Sequence, residues 1–103
     1  MIFITKKLDF CASHRLHNPE FSDEKNRETF GLCNNPNGHG HNYILEVTVC
    51  GEVADDTGMV LDLKALKELV QTRVINQVDH KNLNMDVPFL EGVIPSAENL
   101  AIK

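Results

Sequence analysis

The sequence predicts an α+β domain, an antiparallel sheet with helices packed on one of its faces, and three observations carry that prediction. Two stretches, residues 2–14 and 41–53, alternate apolar and polar side chains with the period of a strand. Residues 63–77 carry apolar side chains on one helical stripe only. A one-faced helix following a two-faced hairpin has to bury its stripe against the sheet.

Taken in order, Ile2, Ile4, Leu8, Phe10 and Ala12 share one face of the first strand with His14. Residues 15–38 are polar and rich in Asn, Pro and Gly, and they read as a long loop of the kind that is usually functional. In the second strand Tyr43, Leu45, Val47 and Val49 form one face, and His39 and His41 lie in phase with it. Asp55 to Gly58 is a turn, and Met59 to Leu61 a short extended piece. Asp62 is placed to cap a helix over 63–77, with Leu63, Leu66, Leu69, Val70 and Val74 on its apolar side. Residues 79–95 read as another loop, and Pro95-Ser96 opens a second helix with Ser96 as its cap.

At 103 residues the chain holds one domain, 1–103, and that second helix has barely begun when the sequence stops. The expectation is a domain cut short at its C-terminus. A formal net charge of −5 and the absence of any Lys/Arg run argue against nucleic acid, which requires a basic stripe. No apolar run approaches the ~18 residues of a membrane span. The N-terminus lacks the pattern of a signal peptide. Three widely spaced cysteines do not form a disulfide framework and point to a reducing, cytoplasmic setting.

The chemistry gathers in FCASHRLH and GLCNNPNGHGHNY. His39 and His41 stand two apart in an extended chain and so face the same way, and a neighbouring strand can bring His14 to them. Three neutral imidazoles with an open fourth position are the donor set of a catalytic zinc. His17 is out of phase with His14 and reads as a solvated loop residue. Cys11 and Cys50 sit in strands as small hydrophobes. Cys33, in the loop beside the histidines, is a candidate base or nucleophile. Asp79-His80 reads either as a carboxylate orienting an imidazole or as a helix-terminal histidine on the dipole.

Taken together, CNNPNGHGHNY, the VxxxG-x₆-GM pattern from Val47 to Met59, DHKNLN with DVP, and S-A-E-N from Ser96 resemble the 6-pyruvoyltetrahydropterin synthase family over essentially the whole chain. The family also includes 6-carboxytetrahydropterin synthases. The resemblance implies a tunnelling fold, with strand pairs forming a barrel across trimers and two trimers stacked as a hexamer. It implies zinc on His14, His39 and His41, and Cys33 as the base that removes a side-chain proton from 7,8-dihydroneopterin triphosphate. Asp79 and His80 would then assist proton transfer, and Ser96 and Glu98 would help hold the pterin, with Ala97 lacking a hydroxyl often found there. Arg15, Lys25, Arg27 and Lys81 are candidates for the triphosphate. The implied product is 6-pyruvoyltetrahydropterin. The alternatives are 6-carboxytetrahydropterin, on the route to queuosine, and a non-catalytic zinc-binding assembly module. The resemblance further implies a pterin-anchoring glutamate on a late strand. This chain ends before that point, as if the final strands were missing.

Overall fold

A computed structural model describes residues 1–102. Strands β1 (Ile2–His14) and β2 (His39–Gly51) form a long antiparallel hairpin, and β3 (Lys81–Asn82) pairs with β1 in parallel. The sheet is therefore mixed, in the order β2-β1-β3, and not purely antiparallel as expected. The register sets Ile4 opposite Val49, Leu8 opposite Leu45, Phe10 opposite Tyr43 and His14 opposite His39. The predicted alternation holds, because this row is the partly or fully buried one. The second strand begins at His39, two residues earlier than its periodicity indicates. Gly38 makes that entry possible. Its φ is +75°, and a Cβ there would lie 3.1 Å from the His14 carbonyl oxygen.

The long loop is more ordered than expected, containing α1 (Asp23–Phe30) followed by a 3-10 turn, Gly31–Asn34. Ser22 caps α1 by accepting from the Lys25 N–H, and Asp23 and Glu24 fill its first turn. This helix has almost no apolar stripe and is tethered instead through Asn26, which is fully buried and exchanges hydrogen bonds with Asn18. That explains why hydrophobic periodicity does not reveal it.

The main helix starts where predicted, with the Asp62 carboxylate accepting from the Lys64 N–H. It runs as α2 (Leu63–Val70), a π-turn (Gln71–Ile75) and a closing turn α3 (Asn76–Val78). The π-turn inserts a residue and re-phases the stripe, a known device within helices. Leu66 and Val70 before the turn and the re-phased Ile75 are buried against Leu8, Phe10, Leu45, Val47 and Val49, each full burial contributing about 1.5–3 kcal/mol. Leu63 and Leu69, expected on that face, are exposed. A second cluster, Ala12, Val78, Leu83, Val87 and Leu90, lies nearer the histidine end of the hairpin. Met59–Leu61 is not a strand. The expected loop 79–95 holds β3 and a 3-10 turn, Pro88–Leu90. Helix α4 (Ala97–Ile102) has Ser96 as its cap, the Asn99 N–H donating to the Ser96 hydroxyl at 3.3 Å. No helix among the described residues is long and apolar enough to cross a membrane.

Candidate metal centre

The pairing of His14 with His39, and of Ala12 with His41, brings the three imidazoles to one end of the hairpin. One nitrogen from each ring lies within 4.8 Å of the others. Ring centroids are 4.5–5.0 Å apart with interplanar angles of 68–88°, so the rings meet edge to face rather than stacking. His14 is 6% exposed, His39 half-buried and His41 exposed.

His14 Nδ1 lies 2.8 Å from the Pro95 carbonyl oxygen and donates to it, leaving Nε2 as the lone-pair nitrogen. His14 Nε2 and His39 Nδ1 are both buried without a hydrogen-bond partner. A buried polar atom left unpaired costs about 1–3 kcal/mol, so two orphans aimed into one nest of imidazoles call for an additional occupant. Burial lowers the His14 pKa from its ordinary value, and the neighbouring imidazoles add to this; the Pro95 hydrogen bond opposes it. A neutral ring is the form a metal requires. The group can hold a metal ion, and its all-nitrogen donor set suits a borderline divalent cation.

The Cys33 backbone is tied to the chain just beyond His14 by a contact that the sequence does not show. Its carbonyl accepts from the Leu16 N–H at 2.8 Å, two residues beyond His14. The adjacent Asn34 is 5% exposed and locks this junction, donating to the Leu16 carbonyl at 2.8 Å and to His17 Nδ1 at 3.1 Å. His17 is therefore half-buried and bonded, not a freely solvated loop residue. The Tyr43 hydroxyl sits 3.5 Å from His14 Nδ1, and its pKa is raised by burial and next by negative charge at Cys33. Cys33 thus acts on Tyr43, whose hydroxyl in turn lies beside His14.

Asp79 and His80 belong to a separate group, with Cys11. Asp79 Oδ1 accepts from the Cys11 N–H and from His80 Nδ1, each at 3.0 Å. The first of these holds the carboxyl below its ordinary value, with His80 adding to the effect. The Asp79–His80 pair is real, then, rather than a helix-terminal histidine alone. His80 and the triad's His41 line one cavity of about 630 Å³. Of the other expected residues, Ser96 uses its hydroxyl on α4, and Glu98 is exposed. Arg15 Nε donates to the Asn34 carbonyl at 3.0 Å, and Lys25 lies over the Phe21 ring. Arg27 and Lys81 are exposed. Sequence reading missed Pro95, 81 positions from its partner, for which no local signal exists. Tyr43 was findable, since it shares the parity of His39 and His41.

A family model described as 6-pyruvoyl tetrahydropterin synthase matches residues 3–103. The 6-pyruvoyl tetrahydrobiopterin synthase of Homo sapiens is 48% identical over 99 residues, which are 96% of this chain and 68% of that protein. The protein of that name from Drosophila melanogaster is 48% identical over 97% of this chain and 60% of its own length. The 6-carboxy-5,6,7,8-tetrahydropterin synthase of Rickettsia typhi is more distant, at 34% over 99% of this chain and 76% of its own. The solved structure of the 6-pyruvoyl tetrahydropterin synthase of Caenorhabditis elegans superposes with a TM-score of 0.92 at 46% identity, covering 98% of this chain and 71% of that one.

Proposed function

Because the chain belongs to the 6-pyruvoyl tetrahydropterin synthase family, we propose that it is a zinc-dependent lyase converting 7,8-dihydroneopterin triphosphate to 6-pyruvoyltetrahydropterin with release of triphosphate. The observation that carries this reading is the pair of buried, unpartnered nitrogens on His14 and His39, gathered with His41. The higher identity to pyruvoyl than to carboxy synthases, 48% against 34%, favours this product over 6-carboxytetrahydropterin.

His14, His39 and His41 hold the zinc, and Pro95 orients His14 from behind through its carbonyl. When bound, the ion polarises hydroxyl or carbonyl oxygens of the substrate side chain and thereby acidifies the neighbouring C–H bonds. Cys33, as thiolate, takes a proton from a side-chain carbon; Asn34 and Leu16 hold it in place. The electron pair freed on carbon expels triphosphate as the C–O bond breaks, and tautomerisation gives the diketone. His80, with Nδ1 fixed on Asp79, presents its other nitrogen for the second proton transfer. Ser96 and Glu98 lie next to Pro95, on the segment proposed to meet the pterin. A reducing compartment, the cytoplasm, keeps Cys33 a thiol.

The shape supports the tunnelling fold and a homohexamer built as a dimer of trimers. The chain extends 60 × 24 × 20 Å with a radius of gyration of 17.4 Å, against roughly 13 Å for a compact chain of this length. Phe3 and Ile44 on the outer hairpin face are 67% and 73% exposed, surface that neighbouring copies would cover. Incubating purified protein with dihydroneopterin triphosphate should give pyruvoyltetrahydropterin and free triphosphate, with about one zinc per chain. Carboxytetrahydropterin plus acetaldehyde would assign the sister activity. Metal-loaded protein with no turnover, unchanged by Cys33→Ala, would leave only a metal-binding module.

A further inference from the structure

Cys11 stands three residues before His14 on β1, so strand alternation turns its side chain to the opposite face. There Cys11 Sγ, an Asp79 carboxylate oxygen and a His80 ring nitrogen lie within 4.8 Å of one another. Backbone contacts fasten the cluster. The His80 N–H donates to the Cys11 carbonyl at 2.6 Å, and the Cys11 N–H donates to Asp79 Oδ1 at 3.0 Å. The β1–β3 pairing continues this zipper, with Ala12 opposite Lys81. His80 is the one non-glycine residue with positive φ among the described residues, at 59°. Such a backbone costs of order 1–3 kcal/mol and persists only where its surroundings over-determine it. Here it keeps the imidazole beside the thiol and the carboxylate.

The proton-transfer role given to Asp79 and His80 makes no use of the Cys11 thiol, which is only half-buried and lines the same cavity as His80. The geometry points to a second cation site, in which the Cys11 thiolate, the Asp79 carboxylate and the His80 imidazole take a soft divalent cation of the zinc–cadmium type, independently of the three histidines. The donor sets explain why the two sites differ. A thiolate favours thiophilic ions, whereas three imidazoles suit a borderline ion. Ligand atoms around a tetrahedral ion of this class stand roughly 3.4–3.8 Å apart, so closure from separations of at most 4.8 Å requires a movement of no more than about 1 Å. The His80 side chain, 79% exposed, is free to make it. Binding expels the thiol proton to solvent, so the net positive charge gained is one. Lys81 and Asp86, both lining the cavity, offset each other. One consequence rests on the proposed enzymatic function: a cation held on His80 removes the second proton-transfer group, so occupancy inhibits turnover.

The test titrates zinc-loaded protein with Cd²⁺ while following released zinc and the ultraviolet thiolate-to-cadmium charge-transfer band. One Cd²⁺ per chain should bind with the zinc retained and the band present. Cys11→Ser should abolish the band and weaken binding roughly tenfold or more, and Cys33→Ser should change neither. His80→Gln should weaken binding to a similar degree while keeping the band, and it decides the question through affinity alone if Cys11→Ser fails to fold. A band that survives Cys11→Ser, a band lost in Cys33→Ser, or cadmium taken up only as zinc leaves would overturn the site. Absence of binding would do the same. Turnover is read separately: the band without any turnover sinks the enzymatic function and leaves the cation site standing, whereas turnover indifferent to bound Cd²⁺ overturns the inhibition.

Discussion

His14 and Cys11, three residues apart on one strand, head two polar clusters with opposite economies. On one face His14 is buried and His39 half-buried, and one nitrogen of each has no protein partner. On the other, Asp79 is paired twice over and His80 stays exposed. The difference separates two kinds of task. Buried unpaired nitrogens are stabilised by an added ligand, so that face is suited to hold an ion. An exposed imidazole with one nitrogen fixed on a carboxylate retains a free nitrogen, the arrangement that the proposed proton transfer and the proposed second cation would both use.

The strongest way to break this division is His39→Ala. It removes one of the orphaned nitrogens, and we expect bound zinc to fall from about one per chain to nearly none by elemental analysis, with turnover lost. Metal retained at wild-type level would mean that the triad is not the site. Cys33→Ala should act on the chemistry alone, lowering kcat by about 10²–10⁴ with zinc content unchanged. Loss of zinc in that variant would make Cys33 a ligand and not a base. Support behind the triad can be probed at Asn99, whose side chain donates to the Ile94 carbonyl at 2.8 Å and steadies the segment carrying Pro95. Asn99→Ala should weaken zinc affinity by about tenfold, measured by chelator competition, because it loosens the group that orients His14. An unchanged affinity would show that the Pro95 carbonyl needs no such brace. Smallest of all, Ser96→Ala deletes the cap of α4 and should lower unfolding free energy by about 1 kcal/mol in urea, with zinc affinity little altered.

Much of the fold was legible in one dimension. The parity of Ile4, Leu8, Phe10 and His14 against Tyr43, Leu45 and Val47 foretold the hairpin and its buried face, because a strand has only two faces. Asp62 and Ser96 announced their helices through capping chemistry that spans three residues. The readings that failed depended on something else. Helix α1 buries Asn26 instead of an apolar stripe, so periodicity had nothing to report. Ile75, buried five residues after Val70, went unread because a π-turn changes the helical phase without any residue that signals it, whereas Leu63 and Leu69 precede that turn and lie on exposed positions of α2.

By itself the sequence determined which residue types could perform the chemistry and how they alternate along each strand, since both follow from side-chain identity and backbone geometry over a few residues. Only the tertiary structure decided their company. It set His14 against Pro95, tied Cys33 to Leu16 through their backbones, and turned Cys11 toward Asp79 and His80. Those contacts join positions 17 to 81 residues apart, and no local rule of spacing reaches that far.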